Sequence, residues 1–138
     1  MIRIQELTDS QARHAMRSGE FGSDVTGRAR RVAVVLTQGW CPQWKTMRRW
    51  LGDLAERDPN TDPDTDPDTD PDVWVFELEY DGKDYFDEFL RTKEELWRNR
   101  LVPYVRYYAD GRLVGETNSV SEPRFLSMFG LVRRRAGT

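Results

Sequence analysis

The sequence Gly39-Trp40-Cys41-Pro42-Gln43-Trp44 stands between a continuous apolar run, residues 32–36, and an amphipathic stretch. A run that is apolar at every position must be covered on both faces, so it predicts a central strand of a sheet flanked by helices. Pro42 suits the first turn of a helix, because its missing N–H costs nothing there. The stripe that follows predicts a helix with a buried face of Trp44, Met47, Leu51 and Leu54. The quoted stretch is therefore a turn between a buried strand and a helix.

The chain before this turn predicts a short strand and a helix. Ile2 and Ile4 alternate with polar residues, as on one face of a strand. Thr8 and Gln11 have the spacing of a capping box, in which each side chain bonds to the backbone N–H of the other residue. We therefore expect a helix to begin at Thr8. The polar, glycine-rich residues 19–30 predict a loop after it.

The second half of the chain predicts two more helices and three strands. Residues 73–80 predict a strand, and an apolar stripe after it predicts a helix with Phe86, Phe89, Leu90, Leu96 and Trp97 on one face. Val102-Pro103 ends this pattern. Asp110-Gly111 lies between two strand-like runs and is a strong signal of a two-residue hairpin. A last helix opens at residues 119–123.

The order of these elements predicts the fold class. Strands and helices alternate in the first part of the chain, which implies right-handed parallel crossovers, and the hairpin adds antiparallel strands. We therefore predict an α/β fold, a three-layer α/β/α sandwich with a mixed central sheet. A length of 138 residues suits one domain, so we expect residues 1–138 to form a single domain.

The acidic charge of the chain is concentrated in one segment. Residues 61–72 repeat Thr-Asp-Pro-Asp three times and hold six aspartates, and the rest of the chain carries 21 basic and 18 acidic side chains. This composition predicts a disordered, solvated loop over residues 58–72. A calcium loop of the EF-hand type does not fit, because Pro67 stands where that loop needs glycine and Val73 where it needs glutamate. Residues 132–138 predict a flexible basic tail.

The arrangement around Trp40-Cys41-Pro42 resembles the thioredoxin superfamily, in which Trp-Cys-x-x-Cys stands between a buried strand and a helix. Trp44 occupies the place of the second cysteine. Val102-Pro103, just before the hairpin, is similar to the cis-proline loop that faces the cysteine in that superfamily. The resemblance covers residues 1–131 and implies a thioredoxin-like fold with a cis peptide bond before this proline.

The chemistry implied by the resemblance centres on Cys41, which would lie at a helix N-terminus where backbone N–H groups and the helix dipole favour a thiolate. A thiolate can attack a disulfide and form a mixed disulfide. Because the chain has one cysteine, release of the partner would need an external thiol such as glutathione. The buried acidic residue of thioredoxins would stand at Val35, so its proton relay is absent. The implied substrate-binding residues are Trp40, Pro42, Trp44, Val102 and Pro103.

Two interpretations of this site stay open. In the first, the chain is a monothiol thioredoxin-like protein with Cys41 as its catalytic residue, acting on protein or peptide thiols and disulfides. In the second, Cys41 is a buried structural residue, and the fold is a redox-inactive binding module. That module would use a surface of Trp40, Trp44 and Pro103 to hold a peptide or another subunit. The backbone of Val102 would pair with an extended partner chain, and Trp40, Trp44 and Tyr104 would line an apolar surface. Only the first interpretation makes the chain an enzyme, a monothiol disulfide oxidoreductase.

Other classes of function lack their sequence signals. The sequence has no run of about 20 apolar residues that would span a membrane, and no apolar segment of a secretory signal follows Met1. A single cysteine fits a reducing, cytoplasmic setting. We find no glycine-rich nucleotide motif and no Cys/His cluster for zinc, and the terminal arginines are too few to predict nucleic-acid binding. We expect no cofactor or metal, no pairing of His14 with Cys41, and a monomer or weak dimer.

Overall fold

The computed structural model describes residues 2–56 and 73–131. The Asp-Pro-rich segment 58–72 and the basic tail 132–138 lie outside the described residues, so their predicted disorder and flexibility stay predictions. No helix in the described part of the chain is long and apolar enough to cross a membrane.

A five-stranded mixed sheet forms the centre of the molecule. Its spatial order is β1-β3-β2-β4-β5. The first three strands in this order run parallel, and β4 and β5 run antiparallel to their neighbours. The strands are β1 Ile2–Glu6, β2 Arg31–Thr37, β3 Val73–Glu79, β4 Tyr104–Ala109 and β5 Arg112–Thr117. This is the α/β class with a mixed sheet that the sequence predicts.

In the described ranges, five α-helices connect the strands and cover the sheet: α1 Asp9–Ser18, α2 Ser23–Thr26, α3 Pro42–Glu56, α4 Phe86–Arg91 and α5 Glu122–Met128. The predicted capping box opens α1, since the Thr8 hydroxyl accepts from Gln11 N at 3.1 Å and Gln11 Oε1 accepts from Thr8 N at 2.9 Å. Gly19, with φ 79°, closes the same helix in the left-handed region.

Strand β2 is buried on both faces, as its uninterrupted apolar sequence predicts. Val32, Val34 and Leu36 pack into a cluster with residues of α1 and α4. Ala33 and Val35 pack into a second cluster, on the opposite face, with residues of α3 and α5. The sheet is therefore the middle of three layers, and the start of α3 lies at the end of its central strand.

The hairpin between β4 and β5 forms at Asp110 and Gly111, whose φ angles of 50° and 80° are those of a tight two-residue turn. The pairing of the two strands shifts between Tyr107 and Tyr108, so β5 carries a β-bulge.

Two stretches differ from the sequence prediction. The predicted loop 19–30 contains the one-turn helix α2, which is held by backbone bonds from Val25 N and Thr26 N to Gly22 O. Such a short helix leaves no apolar stripe in the sequence. The predicted helix through Trp97 also changes form, because α4 passes at Thr92–Leu96 into a π-helix, in which Trp97 N donates to Thr92 O at 3.1 Å.

Candidate functional site

Cys41 is the last residue of the turn between β2 and α3. Its N–H donates to Gln38 O at 3.2 Å, which closes the turn after β2, and its carbonyl accepts from Lys45 N at 3.1 Å, which begins the helical bonding of α3. Pro42 follows as the first helical residue and its ring is exposed. The strand and the helix therefore fix the backbone of Cys41 on both sides.

The sulfur of Cys41 is covered by two oxygen acceptors. Only 1% of the residue is exposed. The Sγ atom lies 3.3 Å from Gln43 Oε1 and 3.6 Å from the carbonyl oxygen of Val102. A thiol is a weak donor, and both contacts suit its S–H form. The thiol is thus held between the first turn of α3 and the segment before β4.

The segment before β4 brings Val102 to the sulfur. The Val102–Pro103 peptide bond is cis, Val102 is half-buried and Pro103 is buried. Asn118 donates from Nδ2 to the carbonyls of Leu101 and Pro103, at 3.3 and 3.2 Å. The structure therefore brings together Cys41, Val102 and Pro103, which the sequence places far apart.

Trp40 and Trp44 have different environments. Trp40 is 60% exposed, with its indole N–H bonded to Gln38 Oε1 at 2.5 Å. Trp44 is 1% exposed and Tyr104 is fully buried, so the expected surface of Trp40, Trp44 and Tyr104 does not form. The reason is helical periodicity, because Trp44 lies on the same stripe as Met47 and faces the sheet.

The carboxylate of Glu79 lies directly beneath this turn, and sequence reasoning missed it. Glu79 Oε2 accepts from Trp44 Nε1 at 2.7 Å and lies 3.8 Å from Arg48. A Cβ atom on Gly39 would lie 3.2 Å from Glu79 Oε1, so the turn passes close to this carboxylate. The parallel pairing of β2 with β3 places Thr37 beside Glu79. The sequence signal for the Glu79 carboxylate was an acidic residue at the end of a strand that runs parallel to β2.

A second carboxylate on β3, Glu77, lies in a shallow cleft with Glu6, Arg48 and Glu79. Burial raises the pKa of Glu77, the nearby Arg48 guanidinium lowers it, and Glu79 and Glu6 raise it further. No group of three or more Cys, His, Asp or Glu residues in the described ranges could hold a metal ion.

Two other positions bear on the chemistry of Cys41. Val35 is fully buried in the same cluster as Cys41, so an aliphatic side chain occupies the place of an acidic one. The ring of His14 lies beside Gly22, within 3.4 Å of where a Cβ atom on that glycine would stand. The polar contacts of the sulfur come from Gln43 and Val102.

Comparison with known proteins places the fold. The chain is similar to thioredoxin O1 from Arabidopsis thaliana, with a TM-score of 0.58, 14% identity and coverage of 96% of this chain and 98% of that one. It is also similar to spinach chloroplast thioredoxin f, in its short form, with a TM-score of 0.58, 17% identity and coverage of 91% and 88%. No protein-family model and no curated protein matches the sequence. The chain therefore has a thioredoxin-like fold, here with a single cysteine.

Proposed function

We propose that this chain is a single-thiol protein whose Cys41 forms mixed disulfides with peptides or proteins laid along residues 101–103. The observation that carries the proposal is the 3.6 Å distance between Cys41 Sγ and the carbonyl of Val102. A partner chain running in extended form beside Val102 would bring its own sulfur next to Sγ. Trp40 and Leu101, which are 60% and 64% exposed and precede Cys41 and Val102 in the sequence, offer apolar contacts.

We propose that Gln43 controls access to the sulfur. Cys41 is buried, but Gln43 is an exposed residue in the first turn of α3, and its side chain is free to rotate into solvent. Rotation breaks one weak S–H hydrogen bond and leaves the backbone unchanged. We propose that this rotation admits a partner to the thiol.

The proposed reaction is thiol–disulfide exchange. Cys41 loses its proton to solvent, and the thiolate attacks one sulfur of a partner disulfide. A new bond forms between Cys41 Sγ and that sulfur, the partner's S–S bond breaks, and the second partner sulfur leaves as a thiolate and takes a proton from water. Cys41 is oxidised to the mixed-disulfide state and the leaving sulfur is reduced.

Release of the partner requires a second thiol from outside the chain. The sequence has one cysteine, and Trp44 fills the position of a second one. A small-molecule thiol such as glutathione would attack the mixed disulfide, restore the Cys41 thiol and leave with the partner sulfur. With such a thiol the protein would act as a monothiol disulfide oxidoreductase in a reducing, cytoplasmic compartment. Without it, Cys41 would retain its partners.

Alkylation of Cys41 by iodoacetamide between pH 4 and 10 tests the proposal, with native and denatured protein compared and Cys41→Ser as the blank. We expect native Cys41 to be alkylated at a measurable fraction of the rate of the denatured chain, because the side chain that contacts Sγ belongs to Gln43, an exposed residue. A native protein that stays unmodified while the denatured chain reacts would contradict the proposal.

The 1% exposure of Cys41 favours a second function, a redox-inactive binding module. In that case the exposed Trp40 and Leu101 would hold a peptide and the sulfur would only fill space. Cys41→Ser separates the two functions, since it would abolish mixed disulfides but leave binding by the module intact. Retention of full peptide binding by this variant, with an unreactive native thiol, supports the module.

A further inference from the structure

Two asparagines form a reciprocal pair next to the segment that faces Cys41. Asn99 Nδ2 donates to Asn118 Oδ1 at 3.1 Å, and Asn118 Nδ2 donates to Asn99 Oδ1 at 2.8 Å. Asn118 directly follows β5 and Asn99 follows the π-helical turn. The pair thus ties two distant parts of the chain together, and both side chains are half-buried.

The same pair holds the backbone on both sides of Val102. Asn118 Nδ2 also donates to Leu101 O at 3.3 Å and to Pro103 O at 3.2 Å, while Asn99 Oδ1 accepts from Leu101 N at 3.1 Å. An amide nitrogen carries two hydrogens, so one of them is shared between acceptors. With both flanking carbonyls turned to Asn118, the carbonyl of Val102 is the one that faces Cys41 Sγ.

Lys93 fixes the other side of the pair. Its side chain is fully buried, and Nζ donates to the carbonyl of Asn99 at 2.9 Å. The N–H of Asn99 donates back to Lys93 O at 3.1 Å. Both backbone polar groups of Asn99 are therefore bonded, so the backbone that carries its side chain is held in place beside Asn118.

We propose that Asn118, supported by Asn99, is a positioning residue that sets the Val102 carbonyl against Cys41 and so aligns a bound peptide disulfide for attack. The attack on the disulfide rests on the proposed function. The placement of the Val102 carbonyl by Asn118 does not. An amide is needed at position 118, because it must donate to two carbonyls and accept from Asn99 at once. A carboxylate there would face Leu101 O, Pro103 O and Asn99 Oδ1 without a hydrogen to give.

The test uses Asn118→Asp and Asn118→Ala, with Ser119→Ala, an exposed neighbour, as the matched control. Cys41 is reacted with iodoacetamide, which needs only access to the sulfur, and with a cysteine-containing hexapeptide carried as its mixed disulfide with 5-thio-2-nitrobenzoate, which must also be aligned. The carbonyl ¹³C resonance of Val102 is recorded for each variant. Circular dichroism and urea unfolding establish that each one is folded.

We expect the ratio of the peptide rate to the iodoacetamide rate to fall about tenfold in Asn118→Asp and by less in Asn118→Ala. A tenfold change corresponds to the loss of about one hydrogen bond that helps to align the peptide. The Val102 resonance should move in both variants and stay in place in Ser119→Ala. A ratio and a resonance that match those of the control would overturn the inference. If wild-type Cys41 reacts with neither probe, the proposed function fails, and the resonance alone then decides whether Asn118 positions Val102.

Discussion

The indole N–H of Trp44 donates to the carboxylate of Glu79 across 2.7 Å, which joins the first turn of α3 to the end of β3. Arg48, one helical turn further on, lies 3.8 Å from the same carboxylate. The side chain that stands where a second cysteine would stand is thus a structural link between helix and sheet. This chain therefore has a thiol at the first cysteine position of the motif and a packed tryptophan at the second.

Replacement of Trp44 by phenylalanine keeps an aromatic ring in the core and removes the donor to Glu79. We expect the free energy of unfolding to fall by about 1–3 kcal/mol, because a hydrogen bond to a charged acceptor is lost. Urea unfolding followed by circular dichroism measures the change. Glu79→Gln is the control, since it keeps an acceptor for Trp44 and loses an exposed ion pair worth little. Equal stability of wild type and Trp44→Phe would show that the bond contributes nothing.

Removal of the Gln43 side chain should expose the sulfur of Cys41. We expect Gln43→Ala to be alkylated by iodoacetamide about 2- to 10-fold faster than wild type at neutral pH, because one acceptor that suits the S–H form is removed. Gln43→Glu has the same shape but places a negative charge beside the sulfur, which disfavours the thiolate, so its rate should fall. Acceleration by both substitutions, or by neither, would argue that Gln43 does not control the thiol.

The elements that the sequence predicts well are those decided by local pattern. The apolar run at residues 32–36 needs cover on both faces, and the structure provides it. Thr8 and Gln11 are three residues apart, so their capping box requires no knowledge of the rest of the fold. The turn at Asp110-Gly111 is equally local.

The contacts that shape the candidate site are not local. The resemblance placed Val102-Pro103 opposite Cys41, but the sequence could not supply the atoms that are in contact. Two oxygen atoms contact Cys41 Sγ. One is the carbonyl of Val102, 61 positions away in the sequence, and the other is Oε1 of Gln43, whose place depends on the conformation of its side chain. The pair of Asn99 and Asn118 forms only after β5 returns beside the segment before β4. Trp44 belongs both to the apolar stripe of α3 and to the motif around Cys41. Its ring lies in the core, as the stripe predicts.

Arg106 shows the same limit in a strand. A charged residue flanked by Val105 and Tyr107 would be expected on a solvent face, yet it is only 4% exposed. Its guanidinium donates to Glu20 at 2.6 Å, to Tyr108 at 2.9 Å and to Tyr104 at 2.8 Å. It also lies over the ring of Trp97, 4.6 Å from the centroid. Burial lowers the pKa of Arg106, but Tyr108, Tyr104 and Glu20 together raise it above its ordinary value.

Substitution of Arg106 by methionine should lower the free energy of unfolding by about 1–3 kcal/mol, because the hydroxyls of Tyr104 and Tyr108 lose a charged donor, whereas the Glu20 side chain, 40% exposed, is rehydrated. Arg106→Lys keeps the charge but not the forked donors, so we expect a smaller yet measurable loss. Chemical unfolding at pH 7 measures both. A methionine variant as stable as wild type would show that the polar cluster is replaceable by apolar packing.

Buried Lys93 should make stability depend on pH. Burial lowers the pKa of Lys93 from 10.5 to about 8, with Glu94 opposing the shift. Between these values the unfolded chain binds more protons than the folded one, so the free energy of unfolding rises with pH. Relative to Lys93→Met, which does not titrate, we expect wild type to gain on the order of 2 kcal/mol between pH 7 and 9.5. Urea unfolding of both proteins at the two pH values measures the difference, and parallel pH profiles would mean that the Lys93 ammonium is not destabilised by burial.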